Sequence, residues 1–119
     1  MKVIIAGSRT ITDYEFVLEA IEESGFKITE VVSGCANGVD KLGERYALEN
    51  NIPIKLFPAQ WIKYGRGAGI IRNKEMAEYA DALIACWNGI SAGTRNMMWQ
   101  VNDFNLKMYL KRLNMGEKE

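Results

Sequence analysis

Short continuous apolar runs alternate along the chain with segments whose apolar residues recur every three or four positions. Val3-Ile4-Ile5-Ala6 is the first run, with the character of a parallel strand covered on both faces. Thr12 with Glu15 forms a capping-box signature, and the helix it predicts carries Phe16, Val17, Ala20 and Ile21 on one face before Gly25 ends it. Glu30 to Ser33 is a second strand. A helix from Val39 to Glu49 turns Val39, Leu42, Tyr46 and Ala47 inward, and Asn50-Asn51 stops it. Ile54 to Phe57 is a third strand, set between Pro53 and Pro58. A loop with Trp61, Tyr64 and several glycines leads to a helix from Ala68 to Ala80. Ala82 to Trp87 is the fourth strand. A helix from Thr94 to Phe104 follows, with Met97, Met98 and Val101 inward and Phe104 at the end of the same face. Lys107 to Leu110 is a final edge strand.

Alternating strands and helices predict an α/β fold: one Rossmann-like domain over residues 1–113, with a mostly parallel sheet flanked by helices. Residues 114–119 read as a frayed, solvated end. Such sheets bind ligands beyond the carboxyl ends of their strands. Four polar, glycine-bearing loops converge on that edge: Gly7-Ser8-Arg9, Gly34 to Gly38, Tyr64 to Gly69, and Asn88 to Thr94. Glycine in all four is better explained by backbone approaching a ligand than by turn geometry alone.

At 119 residues the chain has room for one domain. Its fifteen basic residues balance fifteen acidic ones, so net charge gives no support to non-specific attachment to nucleic acid or membrane, though a local basic site is still possible. There is no histidine, which removes Ser-His-Asp and Cys-His catalysis and the commonest metal ligand. Cys35 and Cys86 match no zinc spacing, so neither a metal site nor a resident cofactor is expected. Cys86 falls in an apolar run and reads as core, whereas Cys35 lies in a loop without a base to activate it. Two scattered cysteines, no signal peptide and no membrane span predict a cytoplasmic protein.

The strand-loop-helix passage through Asn88, Gly89, Ser91, Gly93 and Thr94 has the layout of a phosphate cradle, with backbone N–H groups and the helix dipole aimed at an anion. Thr94 can cap that helix and offer its hydroxyl. Arg72 and Asn73 lie one crossover earlier, where Arg72 can close on the same group. Gly7-Ser8-Arg9 lacks the spacing of a G-x-G-x-x-G fingerprint, so Arg9 is read as an anion ligand at a strand end rather than part of a dinucleotide motif. The Gly34, Asn37, Gly38, Asp40 loop is a tight turn that also offers backbone to an anion, with Asp40 or Asn37 placed to read sugar hydroxyls. Trp61 and Tyr64 either pack under their loop or stack on a base. Arg66 is either a solvated charge or a lid cation.

Taken together, Ala6-Gly7-Ser8-Arg9, Ser33-Gly34-x-Ala36-x-Gly38-x-Asp40, Trp61-x-x-Tyr64-Gly65-x-x-Ala68-Gly69-x-x-Arg72-Asn73, Ala80 to Ala85 and Gly89-x-Ser91-x-Gly93-Thr94 resemble the YspA-like branch of the SLOG superfamily over residues 2 to about 100. The resemblance implies a Rossmann-like sheet and a nucleotide or nucleotide-derived ligand. It also implies homo-oligomers, for which the apolar helix around Met97, Met98 and Trp99 can supply an interface. Relatives include the "lonely guy" phosphoribohydrolases, whose active-site arginine corresponds to Arg72 and whose catalytic glutamate corresponds to Met97. The single-strand DNA-binding protein DprA shares the Ser-Gly-x-Ala-x-Gly-x-Asp loop and the Arg72-Asn73 pair. The expected function is therefore sensing or sequestration of a nucleotide-type small molecule. The alternatives are an N-glycosidic hydrolase of nucleoside monophosphates, with Asp40 or Glu75 replacing the glutamate, and a single-stranded nucleic-acid-binding module.

Overall fold

In the computed structural model, which describes residues 1–113, the apolar runs form strands β1 (Lys2–Gly7), β2 (Glu30–Ser33), β3 (Ile54–Leu56), β4 (Ala82–Trp87) and β5 (Lys107–Arg112). The expected tail, 114–119, lies outside the described residues. The strands make one sheet in the order β3-β2-β1-β4-β5, and every pairing is parallel. Helices α1 (Tyr14–Ser24) and α2 (Val39–Glu49) connect the strands on one side of β1. Helices α4 (Ala68–Tyr79) and α5 (Ala92–Asp103) make the crossovers that lead into and out of β4, and a one-turn helix α3 (Trp61–Tyr64) precedes α4.

The strict alternation of side chains along each strand sorts the core into two layers. Val3, Ile5, Val31, Ala82, Ile84 and Cys86 pack on the α1–α2 face with Val17, Ala20 and Val39. Ile4, Ala6, Val32, Leu83 and Ala85 pack on the α4–α5 face with Met76, Met97 and Val101. The central strands are buried on both faces, which is why they read as unbroken apolar runs. Among the described residues, no helix is long and apolar enough to cross a membrane.

Several boundaries differ from expectation, each for a local reason. Asp13, not Thr12, caps α1: its carboxylate accepts the Glu15 N–H at 3.0 Å, where a negative group also meets the positive helix end. Helix α5 starts at Ala92 because Ser91 caps it, so Thr94 is inside the first turn rather than at the cap. The segment expected as a plain loop forms α3 and a 3-10 turn, Gly65–Gly67. Phe104 is exposed rather than inward. Strand β5 runs to Arg112, pairing it with Trp87.

Helix α2 turns Val39 and Ala47 into the core with Leu42 and Tyr46 packed against it, as expected, and it buries Asp40 and Gly43 as well. Gly43 sets how closely the helix approaches. A Cβ there would stand 2.8 Å from the Ile5 Cβ and 2.9 Å from its Cγ2, so α2 closes on β1 only because this residue has no side chain. Overpacking costs about 1–3 kcal/mol, against about 1 kcal/mol of helix propensity gained by alanine. Gly43→Ala is therefore expected to lower the urea midpoint, and a midpoint equal to or above wild type would refute close helix–strand contact here.

Candidate functional site

The carboxyl ends of β1 and β4 approach each other because Gly7 has no side chain: a Cβ would lie 2.0 Å from the Cys86 carbonyl oxygen. Beyond them, the Ser8 N–H donates to that carbonyl at 3.0 Å, and the Ser8 hydroxyl accepts the Asn88 N–H at 3.0 Å. Ser8 is fully buried, so its role is to fasten the first loop to the fourth. Gly38 presses the second loop onto the first. Its φ of 78° is open to glycine at little cost, and a Cβ would meet the Ser8 oxygen at 2.5 Å.

The third loop is tied in by two consecutive residues of α4. Arg72 Nη1 donates to the Gly34 carbonyl, and Arg72 Nε donates to Asn73 Oδ1 at 3.0 Å. The Asn73 amide then donates to the Gly93 carbonyl at 3.2 Å and to Asn96 Oδ1 at 3.0 Å. At the fourth loop, Asn88 Oδ1 accepts the N–H groups of Ile90 and Ser91 at 2.8 and 3.0 Å, and the Ser91 and Thr94 hydroxyl oxygens lie 3.1 Å apart. This turn delivers the N-terminus of α5 to the sheet edge.

These loops enclose a cavity of about 280 Å³. Of the residues expected to form a site, Gly7, Arg9, Asp40, Arg72 and Asn73 line it, as do Ser91, Gly93 and Thr94 on the α5 side and Trp61 at the α3 side. Ser8, Gly34, Asn37, Gly38, Glu75, Gly89 and Tyr64 do not. Gly34 lies beneath the Arg72 guanidinium, where a Cβ would stand 2.7 Å from Nη1. Gly89 lies against the Arg112 guanidinium instead. Arg66, whose role the sequence left open, lines the cavity. Asn96 and Met97 line it without having been singled out as ligand contacts, and the available signal was their spacing, three and four residues after Gly93 on one helix face.

Three arginines, Arg9, Arg66 and Arg72, thus face one cavity whose sole acidic lining residue is Asp40. None of the three has an ion-pair partner among the described residues. Burial pushes the Asp40 carboxyl up to about 6, opposed by the Ala36 N–H it accepts at 3.2 Å and by the Arg72 charge. Burial likewise lowers the Arg72 pKa, with Asp40 pulling the other way. The Cys35 thiol is raised, first by burial and then by Glu44, which disfavours the thiolate a nucleophile needs.

A parallel sheet whose winding reverses between β1 and β4, with a polar cavity beyond their carboxyl ends, places the protein among Rossmann-like α/β domains with a candidate site at the switch point. Within that class, the chain belongs to the YspA, cpYpsA-related SLOG family, whose model matches residues 1–64. Nearly its whole length is also similar to the Gene 61 protein of Mycobacterium phage D29, with 32% identity over 127 residues and 98% of each chain covered. No solved structure matches it. Membership is consistent with nucleotide-related binding.

The Asp40 environment has a measurable consequence. A carboxyl raised from 3.8 to about 6 on folding contributes its full stability below the unfolded pKa and loses it as pH rises through the folded one. Asp40→Asn keeps an acceptor for Ala36 and never ionises. The stability of wild type relative to this variant should fall by about 2 kcal/mol between pH 4 and pH 7. Denaturant titrations of both proteins across that range check it, and a flat difference would mean that Asp40 is not desolvated.

Proposed function

We propose that the protein binds a nucleotide or nucleotide-derived small molecule in this cavity, and holds it rather than converts it. The observation that carries this reading is the convergence of Arg9, Arg66 and Arg72, all without carboxylate partners among the described residues, on one cavity at the N-terminus of α5. An anion there gains charge-assisted hydrogen bonds and the positive end of a twelve-residue helix. The Ala92 and Gly93 N–H groups are the first-turn donors that neither Asn88 nor Ser91 satisfies. Asn73 spends its amide on Gly93 and Asn96, so it positions the cradle, and Asp40 and Asn96 are left to meet sugar hydroxyls. Trp61 at the mouth offers a face for a base. Storage rather than turnover is supported by Met97, a thioether with no acid–base chemistry, which stands at the position resembling the catalytic glutamate of related hydrolases.

The Arg9 and Arg66 side chains make no hydrogen bond to other described residues, whereas the Arg72 side chain holds Gly34 and Asn73. The two roles should separate on mutation. Arg9→Ala and Arg66→Ala should each weaken binding of nucleoside monophosphates about tenfold to a hundredfold with the melting temperature unchanged. Arg72→Ala should lose both affinity and melting temperature, with Arg72→Lys restoring neither fully. Calorimetry and thermal melts with AMP, GMP, CMP and UMP measure this, and affinities unmoved by all three alanine variants would remove the cavity from the function.

A second reading, hydrolysis of an N-glycosidic bond, is favoured by one observation: Asp40 lines the cavity with its pKa pushed up to about 6, near the range of a working general acid or base. Glu75 does not line the cavity and has no part in this reading. Binding without turnover predicts no release of free base from the four monophosphates above background. Chromatographic detection of a free base, abolished by Asp40→Asn, would make the hydrolase the better description.

A further inference from the structure

Next to the cavity, on the outer side of α5, lies an open groove of about 570 Å³. Ala92, Arg95, Asn96, Met98 and Trp99 line it from α5, and Met108 lines it from β5. Two of these residues, Ala92 and Asn96, also line the cavity, so the two spaces meet across a single turn of helix. Trp99 is 67% exposed and Met108 42%, which is a large apolar area to leave in water.

One cation, Arg95, lines the groove, and a second, Arg112, stands near the same Trp87 ring without lining it. The Arg95 guanidinium lies 5.7 Å from the Trp87 ring centroid and that of Arg112 lies 5.9 Å from it, so two cations share one indole. Neither arginine has a carboxylate partner among the described residues. An apolar floor with an exposed indole and one guanidinium without a carboxylate partner among the described residues, that of Arg95, is complementary to a planar base attached to an anionic linkage. The cavity, at about 280 Å³, falls just short of the usual range of ligand pockets, roughly 300–1,000 Å³, and the groove adds space beside it.

We propose that the ligand has two nucleoside units joined through phosphate, one unit in the cavity and the second base lying on Trp99 in the adjoining groove beside Arg95. This rests on the nucleotide-binding reading of the cavity and names the class of ligand that fills both spaces. The linkage is either a 5′,5′-pyrophosphate or a 3′,5′-phosphodiester, since both present the same charge and planar ends.

The test compares adenosine 5′-monophosphate, diadenosine 5′,5′-pyrophosphate, the dinucleotide pApA and the octamer p(A)8, with guanosine counterparts of each, by calorimetry at physiological salt. At least one two-unit compound should bind about tenfold to a hundredfold tighter than its monophosphate, the range set by stacking one base. Trp99→Ala should abolish that gain while leaving the monophosphate affinity and the melting temperature unchanged, because Trp99 lies outside the cavity and is largely exposed. The better of the two dimers identifies the linkage. Equal affinity for one-unit and two-unit compounds, or a gain that survives Trp99→Ala, overturns the second subsite while the cavity reading stands. Affinity that keeps rising to the octamer overturns it in favour of a single-strand track. A Trp99→Ala variant that turns a dimer into a monomer on sedimentation overturns it in favour of a second copy on the groove. Failure of every compound, monophosphates included, defeats the cavity reading and this proposal with it.

Discussion

The guanidinium of Arg72, laid on the Gly34 carbonyl, is the contact on which the arrangement of the sheet edge depends. It joins α4 to the β2–α2 loop across 38 residues of sequence, and through Asn73 the same helix turn reaches the start of α5. Among the described residues, no other hydrogen bond joins α4 to the β2–α2 loop. The contact is possible because position 34 is glycine: any Cβ there would occupy the space of Nη1. It is also electrostatically constrained. A half-buried cation stands near a buried carboxyl, yet no ion pair closes between them, so neither charge is fully neutralised by the other. Groups in that condition gain from an added anion or from a proton, which ties the local fold to the occupancy of the cavity.

The fold was legible in the sequence because its signals are local. Val3 to Ala6 and Ala82 to Trp87 are apolar at nearly every position since both faces of the sheet are covered, and Val39–Glu49 coincides with its expected span because Asn50 and the left-handed Asn51 stop it. What the pattern misjudged was set by single side chains. Asp13 rather than Thr12 accepts the Glu15 N–H, and Ser91 accepts the N–H of Thr94, so the last helix begins before Thr94 and that residue is capped rather than capping. On α2 the apolar periodicity marked the inward face but not its full extent: the absent side chain at Gly43 lets the helix close on Ile5 and buries Asp40 alongside.

For the candidate site, the convergence of four glycine-bearing loops followed from topology alone, whereas the division of labour inside it did not. Glycines at strand ends are visible in sequence, but whether each clears space for a ligand or for another part of the protein is a three-dimensional matter. Gly7 makes room for the Cys86 carbonyl, Gly34 for Arg72, and Gly89 for Arg112. Ser8 and Asn73 carry the same chemistry as ligand-binding residues and spend it on the protein itself. Arg66 could not be assigned from its surroundings in sequence because α3 and the following turn decide where it stands.

The overall charge balance illustrates the same limit. Fifteen cations and fifteen anions sum to zero, which at the level of composition argues against an anionic partner. The fold separates them. Of the six arginines, Arg45 alone has a carboxylate partner among the described residues, in Glu49. Arg9, Arg66 and Arg72 line the cavity, and Arg95 and Arg112 flank Trp87 beside it. Acidic side chains meanwhile are engaged elsewhere: Glu19 and Glu23 with Lys111, Glu44 with Lys41 and Ser33, Glu30 with Tyr79. A neutral chain can therefore hold a strongly positive edge. Its field acts over roughly a Debye length of 8–10 Å, about the size of a nucleotide, and fades beyond it. That range suits a small phosphate-bearing ligand seated among the arginines better than a long polyanion, whose further phosphates would leave the positive edge and meet a surface with no excess of cations.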